Sequence, residues 1–219
     1  MIQLRTTSKV LITGARVQGK TTLAEIAILR PQPRVLVWDP TGFFTEARGY
    51  RVIESLRDLA GSPRVAYVPP NPSLEDLEAT TRAAMSLRNV FFAVDEPWWA
   101  IDRYVSSRSA VQINRIFRLG HKPENGVGIA LMTHYLSDLP RVVRDTDHRF
   151  FFHQSLPSEI EAARLFIGDH ADNLPKLKPH YFIHQAPDGA VQYCIPVPLT
   201  PDSGPPKPQI VAPSSAQLA

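Results

Sequence analysis

The segment of the chain with the clearest chemistry is residues 14–21, Gly-Ala-Arg-Val-Gln-Gly-Lys-Thr, which has the spacing G-x-x-x-x-G-K-[ST]. It follows an apolar run at residues 10–12 and precedes a helix-forming run at residues 22–29, so we expect it to join a strand to a helix. The two glycines allow a tight turn that points successive backbone N–H groups at an anion, and the helix dipole adds to the attraction. The pattern therefore predicts a phosphate-binding loop that takes a nucleoside triphosphate.

The residue types in this loop also predict how the phosphates are held. Lys20 should reach the β- and γ-phosphates, and the Thr21 hydroxyl should bind Mg²⁺. The residues expected to bind the nucleotide, ATP, are Gly14, Ala15, Arg16, Val17, Gln18, Gly19, Lys20, Thr21 and Thr22.

A second candidate feature is the acidic pair Asp95 and Glu96, which directly follows the apolar run at residues 90–94. In a parallel sheet this places the acids beside the phosphate-binding loop. We expect Asp95 to complete the Mg²⁺ site, mostly through water, and Glu96 to orient and deprotonate a water that attacks the γ-phosphate. The pair favours hydrolysis over transfer to a substrate hydroxyl. A nucleotide or small-molecule kinase and a non-hydrolysing nucleotide switch remain the alternatives from other functional classes.

A third polar position, His134, follows another apolar run at residues 128–132. If that run is a parallel strand, His134 lies at the same sheet edge as the loop and the acids. There it can sense the γ-phosphate or position water as a hydrogen-bond donor, with either ring tautomer still open.

The elements that must position these residues follow an α/β pattern. Apolar strands alternate with helical segments, which is typical of a parallel sheet covered by helices; strands are predicted at residues 34–38, 65–68, 90–94, 128–132 and 149–153. Two further strands, 180–184 and 190–194, flank Pro-Asp-Gly and predict a C-terminal β-hairpin. We therefore expect an α/β, three-layer P-loop NTPase fold with a mainly parallel sheet.

Composition and proline placement bound the domain organisation. The chain has 219 residues, 43% apolar content, a formal charge of +3 and one cysteine, Cys194, which together predict a reducing, intracellular setting and one large domain. No apolar run is long enough for a membrane span. Prolines crowd the last residues, so we predict a P-loop ATPase domain over residues 1–197 and an extended or disordered Pro-rich tail over residues 198–219.

The order of these motifs resembles the HerA–FtsK superfamily of ring-forming ATPases over roughly residues 8–185. By size the chain is most similar to the small genome-packaging ATPases of tailless, membrane-containing (double jelly-roll) viruses. The resemblance implies a RecA/FtsK-like fold and an ATP-hydrolysing double-stranded DNA translocase that packages a viral genome into a preformed capsid. It also implies a homo-oligomeric ring, DNA contact without sequence preference, a capsid or membrane-vertex protein as partner, and action in the host cytoplasm during assembly or at the virion vertex. Another DNA-pumping or phage-assembly ATPase of the same superfamily is the alternative within it.

Two positions depart from the pattern of that superfamily. It usually has Gln where this chain has His134, and it supplies an arginine from a neighbouring subunit just before the strand that ends there. Arg118 is our candidate for that cation, followed by Arg115 and Lys122.

Candidate DNA-contacting or interface residues are Arg103 and Arg108 beside Trp98, Trp99 and Tyr104, and a second basic group of Arg141, Arg144 and Arg149.

Overall fold

The computed structural model describes residues 4–97, 100, 111–122, 124–137, 139, 146–196 and 210–211. Within these residues the chain forms a sheet of ten strands. They are β1 Lys9–Thr13, β2 Val35–Trp38, β3 Arg51–Ile53, β4 Arg64–Tyr67, β5 Val90–Asp95, β6 Val127–Thr133, β7 His148–Phe152, β8 Phe182–Gln185, β9 Val191–Cys194 and β10 Ile210–Val211.

The described helices alternate with the strands along the chain. They are α1 Lys20–Leu23, which continues as a π-helix over Ala24–Leu29, then α2 Leu74–Leu87, α3 Val111–Leu119 and α4 Pro157–Ile167, which is followed by a 3₁₀ helix at Gly168–Lys176. Short 3₁₀ turns lie at Glu46–Arg48 and Leu56–Asp58. Ser73 caps the start of α2, because its hydroxyl accepts the N–H of Asp76 at 3.2 Å.

The strand order is β10-β9-β8-β7-β1-β6-β5-β2-β4-β3, and all pairs from β7 to β3 are parallel. Strands β8, β9 and β10 add antiparallel pairs at one side, so the predicted C-terminal hairpin, β8–β9, is confirmed. Strand β6 lies between β1 and β5, with Thr13 opposite Thr133 and Asp95 opposite Met132. The loop after β1, the acids after β5 and the histidine after β6 therefore leave the sheet at one edge.

Helices cover both faces of the sheet. On one face Phe92 and Val94 of β5 pack in a core with residues of α2, α3 and α4. On the other face the alternate residues, Phe91 and Ala93, pack with the helix that begins at Lys20. This alternation is what a strand buried on both sides requires, and it confirms the three-layer α/β prediction.

Some elements were not predicted. Strand β3 and the 3₁₀ helix at Gly168–Lys176 carry weak apolar patterns and are formed by tertiary packing. The helical spacing of apolar residues also predicts a helix over roughly residues 107–119, of which residues 107–110 lie outside the described residues. Two residues of the Pro-rich tail, Ile210–Val211, pair with β9. In the described parts of the chain no helix has the length and apolar character needed to cross a bilayer.

Candidate active site

The loop between β1 and α1 is anchored to two neighbouring strand ends. The N–H of Gly14 donates to the carbonyl of Thr133 at 3.3 Å, and that of Ala15 donates to the carbonyl of His153 at 2.9 Å. A Cβ placed on Gly14 would lie 2.5 Å from the Cβ of Phe152, so only glycine fits this approach to β7. Gly19 has φ 90° at the start of α1, a left-handed conformation that turns the chain into the helix.

Lys20 is buried under the loop with all three of its protons engaged. Its Nζ donates to the carbonyls of Gly14 at 2.9 Å and Ala15 at 3.0 Å, and it contacts Nδ1 of His134 at 2.7 Å. Burial lowers the pKa of Lys20 to about 8, and the nearby Glu96 carboxylate offsets part of that effect. The Lys20 ammonium is therefore still charged near neutral pH, and it lies at the position where the sequence predicts phosphate binding.

The same contacts assign the tautomer of His134. An ammonium has three donors and no acceptor, so Nδ1 of the ring must accept from Lys20, and the proton of the neutral ring lies on Nε2. Nε2 is 3.0 Å from Oε1 of Glu96. His134 therefore links the loop lysine to the glutamate by two consecutive hydrogen bonds.

Glu96 leaves β5 in an unusual backbone conformation. Its φ is 49°, and its N–H donates to the carbonyl of Met132 at 2.8 Å, which extends the β5–β6 pairing by one residue. A left-handed φ costs a non-glycine residue about 1 kcal/mol, so the surrounding contacts must impose it. The chain therefore turns away from the strand direction at Glu96, and the Glu96 carboxylate is buried beside His134.

Asp95, at the last position of β5, has one carboxylate oxygen satisfied and one not. Oδ2 lies 3.0 Å from the Thr41 hydroxyl, whereas Oδ1 is buried with no hydrogen-bond partner among the described residues. Burial, followed by Glu96 and Asp39, raises the pKa of Asp95 to about 7. An unpartnered buried carboxylate oxygen beside the loop fits a hard cation such as Mg²⁺, with Thr21 as the loop's oxygen donor.

Thr41 and Asp39 form a support for Asp95 that the sequence did not single out. The Thr41 hydroxyl is 2.8 Å from Oδ1 of Asp39, and Oδ2 of Asp39 accepts the N–H of Phe44 at 2.7 Å. One hydroxyl has one proton, so it can donate to only one of the two carboxylates at a time. Its hydrogen bond lowers the pKa of Asp95, whereas the charge of Asp39 raises it. An acid at the end of β2, the strand next to β5, was the available signal.

The turn that carries His134 is held by two buried side chains that sequence reasoning also missed. The amide of Gln154, just after β7, donates to the carbonyl of His134 at 2.6 Å. The Glu159 carboxylate in the first turn of α4 accepts the N–H groups of Leu136 and Ser137. Neither residue belongs to a recognisable motif, because each acts through backbone groups of a distant turn.

The candidate trans-acting cations lie far from the site of their own subunit. Arg115, Arg118 and Lys122 are exposed, on or just after α3. The N–H of Val127, the first residue of β6, donates to the carbonyl of Gly120, whereas His134 follows the last residue of that seven-residue strand. A strand of this length spans roughly 20 Å, so Gly120, which directly follows α3, lies about that far from the strand end that carries His134.

The start of α3 is held by α2. The buried carboxylate of Glu78 accepts the N–H of Gln112 at 2.7 Å and that of Ile113 at 3.1 Å, which satisfies two donors in the first turn. Glu78 thus ties the first described turn of α3 to α2, in addition to the core packing of Ile113 and Ile116.

The candidate DNA-contacting residues are mostly untested by the structure. Trp98, Trp99, Arg103, Tyr104, Arg108, Arg141 and Arg144 lie outside the described residues. Arg149 is engaged within the chain, where it donates to Oε1 of Gln185 at 3.0 Å and lies 4.6 Å from the ring centre of Phe166.

A phosphate-binding loop between β1 and α1, acids after β5 and a polar residue after the intervening β6 define the fold class as that of P-loop NTPases. No protein-family model matches the chain, and no curated protein matches it in sequence.

Solved structures of similar fold include viral genome-packaging enzymes. The genome packaging NTPase of Sulfolobus turreted icosahedral virus 2 in complex with AMPPCP has a TM-score of 0.71 and 17% identity, covering 89% of this chain and all of that one (100%). The complex of that NTPase with ATP-gammaS has a TM-score of 0.73 and 17% identity, covering 87% of this chain and 98% of that one. The DNA-packaging ATPase from Sulfolobus Turreted Icosahedral Virus has a TM-score of 0.68 and 18% identity, covering 89% and 100%. These likenesses confirm the predicted fold.

Proposed function

We propose that the protein hydrolyses ATP and uses the energy to move double-stranded DNA during packaging of a viral genome. The observation that carries the proposal is the hydrogen-bonded row Lys20–His134–Glu96 at the edge of a P-loop NTPase sheet. It places a carboxylate able to activate water next to the lysine expected to bind the γ-phosphate.

ATP binding is the first step. The backbone N–H groups of residues 16–22 would surround the phosphates, because those of Gly14 and Ala15 donate to strand-end carbonyls. Lys20 would exchange a loop carbonyl for a phosphate oxygen. Thr21 and Asp95 would hold Mg²⁺, which supplies neutralising charge on the β- and γ-phosphates when bound. The buried Oδ1 of Asp95, unpartnered within the described residues, supports this assignment.

Glu96 then acts as the general base. It accepts a proton from water while the water oxygen bonds to the γ-phosphorus and the bond to the β-phosphate oxygen breaks, which leaves ADP and inorganic phosphate. His134, with its proton on Nε2, donates to Glu96 and orients it. Because Nδ1 of the same ring accepts from Lys20, the orientation of Glu96 depends on the position of Lys20. The burial of these groups strengthens each interaction, because the local dielectric is lower than that of water.

Coupling to DNA rests on assembly into a homo-oligomeric ring. Because Arg118 is exposed and lies close to the start of β6, whereas the loop lies at the other end of that strand, we place it in the site of a neighbour, with Arg115 and Lys122 as substitutes. Such a cation would make hydrolysis depend on subunit packing. Double-stranded DNA would be held through its phosphates without sequence readout.

The assignment to genome packaging is supported by the likeness to viral packaging NTPases over nearly their whole length. We infer from this assignment a capsid or membrane-vertex protein as docking partner, and action in the host cytoplasm during assembly or at the virion vertex.

The test is ATP hydrolysis by the purified protein with Mg²⁺, over a range of protein concentrations, with and without double-stranded DNA. We expect turnover per subunit to rise steeply with concentration and to be stimulated by DNA of any sequence. Turnover that requires a small acceptor and ignores DNA would point to a kinase, whereas tight binding without turnover would point to a nucleotide switch.

A further inference from the structure

The direction in which the nucleotide must lie on the loop follows from the sheet order. Lys20, Asp95 and Glu96 define the γ-phosphate end, and the two acids lie at the end of β5, on one side of β1. Strands β7 and β8 lie on the other side of β1. A triphosphate with its γ end at the acids therefore directs its nucleoside toward the ends of β7 and β8.

The segment at residues 177–181 lies at that position. Strand β8 runs antiparallel to β7, with Phe182 opposite Phe152, so the residues just before β8 share the edge that carries the loop. The segment is tied to the loop through His153, whose carbonyl accepts from Ala15 and whose Nδ1 lies 3.3 Å from the carbonyl of Leu177.

Within this segment His180 comes closest to the loop. A Cβ placed on Gly19 would lie 3.1 Å from Nδ1 of His180, so the imidazole lies directly against Gly19. The N–H of His180 donates to Oε1 of Gln18 at 3.4 Å. The backbone φ of His180 is 69°, a left-handed value that is uncommon for a residue with a side chain, and the residue is exposed.

We propose that His180 is a nucleoside-binding residue of this site, with its imidazole packed against the base of the bound nucleotide and Gln18 beside it. The inference rests on the proposed function, since it takes the loop to bind a nucleoside triphosphate. A planar ring that is exposed and adjacent to the first turn of α1 offers a face on which an aromatic base stacks. Functional sites often hold a residue in such a left-handed conformation, and this keeps its side chain in place.

The experiment compares the dissociation constants of ATP and inorganic tripolyphosphate, both with Mg²⁺, for the wild type, His180→Asn and His180→Gly. Asn and Gly accept the left-handed backbone more readily than His, so both variants should fold with an unchanged or higher melting temperature. We expect ATP binding to weaken about three- to tenfold in both variants while tripolyphosphate binding stays unchanged. Lys176→Ala, an exposed change on the preceding 3₁₀ helix, is the matched control and should alter neither.

Three outcomes are decisive. Unchanged ATP affinity in both variants would overturn the inference while leaving the nucleotide site intact. Equal weakening for ATP and tripolyphosphate would overturn it as well, because His180 would then act on the phosphates. A wild type that binds neither compound would instead contradict the proposed function.

Discussion

Nε2 of His134 donates to Oε1 of Glu96 at 3.0 Å, across the ends of two adjacent parallel strands. The other nitrogen of the same ring accepts from Lys20 at 2.7 Å. One neutral imidazole thus joins the lysine expected to touch the γ-phosphate to the carboxylate expected to activate water. Movement of Lys20 toward a phosphate would therefore change its hydrogen bond to His134 and, through the ring, the position of Glu96.

The role of His134 predicts a graded response to substitution. His134→Ala should lower kcat at least tenfold, because Glu96 loses the donor that orients it. His134→Gln should retain much more activity, since an amide can accept from Lys20 and donate to Glu96 at once. Steady-state kinetics of both variants test this, and equal losses in Ala and Gln would argue against an orienting hydrogen bond.

Glu96→Gln should preserve nucleotide binding and lower turnover about 100-fold or more, because the amide cannot take a proton from water. Nucleotide affinity and turnover are measured on the same preparation. Glu54→Gln, an exposed change after β3, is the matched control and should behave as wild type. Near-normal turnover in Glu96→Gln would remove this residue from the mechanism.

The trans role of Arg118 predicts complementation between two inactive variants. Arg118→Ala should bind ATP normally but hydrolyse it poorly, because the neighbour's site loses its cation. Glu96→Gln should also hydrolyse ATP poorly, because its own site loses the general base. In a mixture, some interfaces combine an intact Glu96 with an intact Arg118 from the neighbour, so activity should partly return. Repeating the mixture with Arg115→Ala and Lys122→Ala identifies the cation, and a mixture as inactive as its components would exclude trans action by Arg118.

The tight approach of Gly14 to β7 predicts a large loss of stability on substitution. Gly14→Ala forces a Cβ into Phe152 and should cost about 2–3 kcal/mol of the free energy of unfolding. Gly49 also has a positive φ (83°, against 150° at Gly14) but no atom within 4 Å of an added Cβ, so Gly49→Ala should cost only about 1 kcal/mol. Urea unfolding of both proteins gives the difference, and equal costs would mean that β7 shifts to make room.

A buried histidine pair predicts acid sensitivity of the fold. Nε2 of His184 lies 3.1 Å from Nδ1 of His148, and burial, followed by the charge of His148, lowers the pKa of His184 to about 4. The unfolded chain takes up this proton near pH 6.5, whereas the folded chain does so only near pH 4. Stability should therefore be full above pH 6.5 and fall as pH drops toward 4, by up to about 3 kcal/mol from His184.

Unfolding free energies measured between pH 7 and 4 test this dependence. Burial lowers the pKa of both histidines. The neighbouring acid Asp147 partly opposes this for His148, and Asp188 partly opposes it for His184. His184→Phe keeps a ring beside Phe150. The slope of the unfolding free energy against pH should become smaller by the contribution of about one proton. His121→Asn, at an exposed position, should leave the slope as it is in the wild type.

The chemistry of single segments was predictable from the sequence by itself. Residues 14–22 act through their own backbone, and Asp95 and Glu96 are adjacent in the chain, so their types and order were sufficient for a prediction. The alternation of apolar runs with helical segments likewise predicted a parallel sheet, because a strand buried on both faces has to be apolar throughout.

The connections between segments were decided only by the tertiary structure. Lys20 and His134 are 114 residues apart. The contacts of Asp95 with Thr41, of the His134 turn with Glu159, and of the loop with His180 also join segments that are separate in the chain. A parallel sheet orders its strands by packing and not by their place in the chain, and it brings all their carboxyl ends to one edge. Local residue types therefore determined which chemistry this protein carries, whereas the strand order decided which side chains meet to perform it.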